Sequence, residues 1–123
     1  MPLAKTVTAV LSDVTIAADA ETLLSACTEL DLDAAVQVEI EVAITYGATA
    51  TAGAIVRVWG AAVTAEYTTA PTDEYALSFT AGATVRESFQ TRASPRFMKV
   101  TALNEDPAVE LIVTVKATVQ VVS

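Results

Sequence analysis

Three pairs of carboxylates are the residues best spaced for chemistry. Asp31 and Asp33 flank Leu32, Glu39 and Glu41 project from one side of an alternating run, and Glu105 and Asp106 are adjacent. Two carboxylates held across a cleft hydrolyse glycosidic bonds, one as acid and the other as base or nucleophile. Asp31 and Asp33 are also candidate calcium ligands. That ion takes about six to eight oxygens, and the chain lacks the dense Asp-x-Asp-x-Asp-Gly loop that supplies them.

The remaining inventory is thin. The chain has no histidine, which removes the commonest general base and any Ser-His or Cys-His pair within one chain. Cys27 is the only cysteine, so an internal disulfide and a structural zinc site are both excluded. Its sequence neighbours Glu21, Glu29 and Asp31 are acidic, whereas a reactive thiol wants basic ones. The loop from Gly47 to Gly53 lacks the lysine and glycine spacing of a phosphate cradle. These residues predict a chain that is not an enzyme and that carries no cofactor.

Two features suit binding better than catalysis. Trp59 falls out of phase with Val56 and Val58 and in phase with Arg57, so it is either an exposed platform for a sugar ring or a packing residue. Arg86, Arg92, Arg96 and Lys99 fall within fourteen residues. They are either scattered surface charge or a positive patch that meets the acidic part of a neighbouring copy, fixing register more than affinity. Before Arg57 the chain has eight acids against Lys5 alone, and from Arg57 onward seven acids against six bases. The net charge of −8 disfavours nucleic acid and anionic membranes as partners.

The elements that must position these residues read as strands. Alanine supplies 24 of the apolar residues and buries little, but 17 Val, 5 Ile and 18 Thr make about a third of the chain β-branched. Val36, Val38, Ile40, Val42, Ile44 and Tyr46 alternate with Gln37, Glu39, Glu41, Ala43 and Thr45. Val109 to Val121 alternates likewise, with Lys116, Thr118 and Gln120 on its polar face. Its thirteen residues would span roughly 43 Å, which predicts either a bend near Ala117 or an end that leaves the domain to pair with a neighbour. Further strands are expected at Ala54–Val63, Tyr75–Thr80, Val85–Thr91 and Arg96–Leu103. Glu21 to Leu32 fits both strand and helix spacing, and strand is preferred because its helix-start signals are weak.

About eight strands with turn signals every 8 to 12 residues or so predict an all-β fold, an antiparallel β-sandwich of jelly-roll type. The expected organisation is an arm or edge strand over residues 1–20 and one sandwich domain over 21–123. The expected core is Val36, Val38, Ile40, Val42, Ile44, Val56, Val58, Met98, Val100, Leu111, Val113 and Val115. The start of the chain has no secretory pattern, and no stretch reads as a membrane span, so folding in a cytoplasm is expected.

Ser94-Pro-Arg-Phe-Met-Lys-Val100 followed by Asn104, and Tyr46-Gly-Ala-Thr49 followed by Val56-Arg-Val-Trp-Gly60, resemble small β-sandwich virion proteins of tailed bacteriophages. The resemblance covers roughly Leu24 to Val121 and departs after Gly60, where no Asp-Gly turn follows. It implies a non-enzymatic structural protein located in the virion and assembled in the host cytoplasm. It implies a capsid decoration or cement protein, a homo-oligomer that meets the major capsid protein or other virion proteins. A tail or baseplate component and a carbohydrate-binding module are the alternatives. The expected interface comprises Trp59, Arg86, Arg92, Arg96, Lys99, Lys116, Thr118 and Gln120.

Overall fold

A β-strand with one dry face needs apolar side chains at every second position, because successive side chains point to opposite faces. The computed structural model, which describes residues 3–122, realises that pattern in eight strands. These are β1 (Leu3–Ile16), β2 (Leu30–Asp31), β3 (Ala35–Tyr46), β4 (Ala54–Ala61), β5 (Asp73–Ala76), β6 (Thr84–Thr91), β7 (Phe97–Asn104) and β8 (Leu111–Val122). One short 3-10 turn, Leu24–Ala26, precedes β2.

The first sheet has the order β1-β8-β3-β6 and the second β2-β7-β4-β5, and every pairing between them is antiparallel. Only the β4–β5 connection stays within a sheet; the others cross from one sheet to the other. That is the double Greek-key arrangement of a jelly roll. The inner faces of both sheets form one core. Eleven of the twelve expected core residues are at most 2% exposed. Val36 is the exception, at 52%. The register of β3 against β8 slips between Ala35 and Gln37, and this bulge turns Val36 away from the inner face.

Two expected elements differ. Glu21 to Leu32 is neither a full strand nor a helix. It makes one bridge, Glu21 to Leu103, then the 3-10 turn, then the two residues of β2. Besides a few isolated backbone bonds, such as Thr22 N–H to Ala102 O and Leu32 N–H to Arg96 O, side chains fasten this strap to the second sheet. The strand expected at Tyr75–Thr80 lies instead at Asp73–Ala76: Leu77 N–H still bonds Ala54 O, but Ser78 then gives its N–H to Glu87 and its carbonyl accepts the Tyr46 hydroxyl, which ends the ladder.

β8 neither bends away nor leaves the domain. β1 pairs with it from Leu3–Val122 to Ile16–Leu111, and β3 pairs along its other side from Ala35–Val121 to Tyr46–Leu111. Its length is matched by two neighbours at least as long. β1 thus forms one edge of the first sheet, with irregularities between Ala9 and Leu11 and between Leu11 and Val14. Asp13, in the second of these, sits at φ 46°, a left-handed conformation that Asp tolerates better than most residues.

Candidate functional site

The three carboxylate pairs are not cleft pairs. Asp106 is 2% exposed and its carboxylate accepts backbone N–H groups from Thr51, Ala52, Ala108 and Val109. Those donors hold its pKa far below the usual carboxylate range. Glu105 beside it is exposed. Asp31 takes Arg96 Nε at 2.9 Å and the Asp33 N–H at 3.0 Å, and both lower its pKa, the guanidinium more. Glu39 and Glu41 project from the outer face of β3, opposite Thr118 and Lys116 of β8. No group of three or more metal-ligating side chains occurs among the described residues.

The outer face of the second sheet is largely spoken for. Trp59 Nε1 donates to Thr101 Oγ1 at 2.9 Å, and that hydroxyl donates to Glu21 Oε2 at 2.7 Å. Glu21 Oε1 accepts from Arg57 Nη1 at 2.9 Å, and Arg57 Nε lies 3.2 Å from Glu74 Oε1 without hydrogen-bond alignment. Thr101 is only 1% exposed because the strap covers it. Lys99, opposite Trp59 in register, donates to Leu24 O at 2.8 Å and sits 5.4 Å from the Tyr67 ring centre. Tyr67 in turn donates to Glu29 at 2.6 Å, which lowers the Glu29 pKa and helps raise that of the phenol, whose main cause is burial. Trp59 and Lys99 therefore latch the strap. Cys27 lies in this strap, 5% exposed, with burial pushing its thiol pKa up.

Arg86, Lys116, Thr118 and Gln120 lie on the outer face of the first sheet, on the opposite side of the sandwich. Among the described residues none of the four makes a salt bridge or a side-chain hydrogen bond. A basin of about 490 Å³ crosses this face, with Asp13, Glu41, Arg86 and Lys116 around Thr45, Thr84, Thr114 and Ile112. Thr114 bonds Asp13 and Thr45 bonds Thr84, but Glu41, Arg86 and Lys116 keep their polar ends free. Arg92 and Arg96 are elsewhere again. They border a hollow of about 550 Å³ at the sandwich end, beside Tyr67, Pro95 and Met98. The eight expected interface residues thus fall on two faces and one end.

Sequence reasoning assigned no role on this face to Glu21 or Thr101. A charged Arg57 in phase with Trp59 was the available signal that this face carries a polar network. Nothing in the strap itself names its partners, since they lie about 80 residues away along the chain.

Neither a protein-family model nor a curated protein sequence matches the chain. Solved structures do. The VP2 subviral particle of infectious bursal disease virus aligns at a TM-score of 0.63 with 7% identity, over 97% of this chain and 32% of that one. The PBSX exported protein XepA aligns at 0.60 with 12% identity, over 96% of this chain and 38% of that one. The PRD1 vertex protein P5 aligns at 0.52 with 13% identity, over 95% of each chain. The chain spans about a third of the first of these, somewhat more of the second and nearly all of the third. At such identities the likeness establishes the fold, a two-sheet all-β sandwich.

Proposed function

We propose that this chain is a non-enzymatic structural protein of a virus particle, specifically one that decorates and stabilises an assembled capsid shell. The observation that carries the reading is the contrast between the two sheet faces. The strap seals one with internal bonds. The other presents Glu41, Arg86, Lys116, Thr118 and Gln120 with free polar ends on three paired strands. A rigid sheet with unpaired charges of both signs suits docking on a protein surface, where such charges fix register. Two of the similar folds belong to a viral particle and a vertex protein, which supports the same reading.

The mechanism is passive. Binding to the assembled shell in preference to free subunits stabilises the shell by mass action. Arg86, Lys116, Thr118 and Gln120 form the docking face, and Arg92 and Arg96 at the sandwich end form a second contact. Trp59 and Lys99 act indirectly, by holding the strap. The protein resides in the virion and assembles with the major capsid protein or other virion proteins.

The test is a titration of purified protein onto empty mature shells. Saturable binding with a rise in shell disruption temperature is expected. Protein that ignores shells but is recovered in isolated tails would replace this reading with a tail or baseplate role.

A further inference from the structure

A two-sheet sandwich has four strand edges, and three of them are closed or guarded. In the second sheet β2 has two residues and β5 has four, too few for a stable added strand. In the first sheet β6 has eight residues, but Glu87 points inward from it. That carboxylate accepts Ser78 N–H at 2.6 Å and the Tyr75 hydroxyl at 3.3 Å. An inward charge at an edge is a device against further pairing.

The fourth edge is β1. Its later part is closed by the irregularity at Val10, whose carbonyl takes Thr28 N–H at 3.4 Å, and by the second irregularity before Val14. The earlier part, Leu3 to Ala9, is paired with β8 in unbroken register. Among the described residues its outer edge has no backbone partner. Ala4, Lys5, Thr6, Val7 and Ala9 are exposed, and Val7 is 63% exposed on an otherwise polar face. No charge points inward along this run, since Ala4, Thr6 and Thr8 have the inner phase.

We propose that this run pairs with the same run of a second copy, antiparallel and centred on Thr6, to join two first sheets into one eight-stranded sheet. Such an edge is a template for an extended strand, and a second copy supplies one from the same run. Thr6 is the midpoint of the unbroken run, so a two-fold axis there uses all seven residues. On the outer face the register sets Lys5 opposite Val7 of the second copy, and Val7 opposite its Lys5. The lysine stem covers the exposed valine while its ammonium stays in water. On the inner face Thr6 meets Thr6 and Ala4 meets Thr8. No like charges are opposed.

The two-fold lies perpendicular to the sheet, so both outer faces point the same way. Under the proposed particle role this doubles the docking face, and two linked contacts bind more tightly than either alone. The pairing itself is independent of that role.

Sedimentation equilibrium of the full chain, from about 1 µM to about 1 mM, tests it. A reversible dimer is expected. V7K sets two lysines opposite each other at two symmetric places and weakens the dimer roughly tenfold. V7E sets glutamate opposite Lys5 and keeps or tightens it. The double variant K5E/V7K restores it. Positions 5 and 7 are exposed, so unchanged thermal unfolding of each variant in dilute solution is the folding control. A chain that stays monomeric throughout, or an oligomer indifferent to the sign at position 7, would overturn the pairing. Dimers that do not bind shells would overturn the particle role alone.

Discussion

The side-chain carbonyl of Asn104 accepts the backbone N–H of Asp106 at 3.0 Å, setting two enclosed polar side chains back to back where β7 turns toward β8. From there they reach in opposite directions. Asn104 Nδ2 shares its two hydrogens among the carbonyls of Val109 at 2.9 Å, Ala17 at 3.2 Å and Ile16 at 3.3 Å. The Asp106 carboxylate gathers the N–H groups of the β3–β4 loop and of its own turn. The end of β1, that loop and the β7–β8 turn are thereby tied at one end of the sandwich.

Asn104→Ala is expected to destabilise the fold by about 3 kcal/mol, because it strands several buried backbone groups and leaves a void. Urea unfolding measures it. A loss below about 1 kcal/mol would show that water replaces the amide and that the tie is dispensable.

Asp106 sets an acid limit. Its folded pKa is depressed by hydrogen bonds to the charged form, so the unfolded chain binds its proton more readily. The stability it contributes is complete above the unfolded aspartate pKa of about 3.9 and is lost as pH falls through the folded value. Wild type should therefore exceed Asp106→Asn in stability at neutral pH, with the gap narrowing below about pH 4. Thermal unfolding of both proteins between neutral and acid pH checks the sign. A gap that widens with acid would contradict it.

Trp59 reports on the strap, since it is the only tryptophan. Thr101→Val keeps the shape but removes the acceptor of Trp59 and the donor to Glu21. A loss of about 2 kcal/mol and altered Trp59 emission are expected. In a glycan screen, wild type and Trp59→Ala should behave alike, because the indole N–H is already engaged. Sugar binding that vanishes with Trp59→Ala would restore the carbohydrate reading.

Reversing charge on the free face separates docking from folding. Arg86→Glu and Lys116→Glu are exposed and unbonded among the described residues, so each should shift stability by no more than about 0.5 kcal/mol. Together they should abolish saturation of empty shells. Shell binding that survives the double reversal would move the docking surface to the sandwich end, where Arg92 and Arg96 lie.

The sheets were legible because a half-buried strand writes its burial into every second residue. Val38 to Tyr46 and Leu111 to Val119 could be read directly. Val36 shares that phase, and only the pairing with β8 reveals the slip that exposes it. The strap was illegible because its anchors are isolated groups, the Glu21 and Thr22 side chains and the Leu24 carbonyl, which meet Thr101, Ala102 and Lys99 far along the chain. Asn104 and Asp106 are turn-forming residue types, and nothing in the sequence says that both are enclosed. The basic cluster failed as one surface for a topological reason. The chain crosses between sheets after Thr91, so Arg86 and Lys99 are near in sequence and on opposite faces in space.

The central place of β8 has a consequence for how the chain is made. β1 is made before the other strands, and among the described residues its one long strand partner is synthesised about a hundred positions later, as the Asp13–Thr114 bonds illustrate. β3 likewise waits for β8 on one side. Co-translational folding can close little of the first sheet, and the nascent chain carries unpaired, valine-rich strands until β8 emerges. Such high contact order makes folding slow and leaves those strands open to mispairing with other nascent copies.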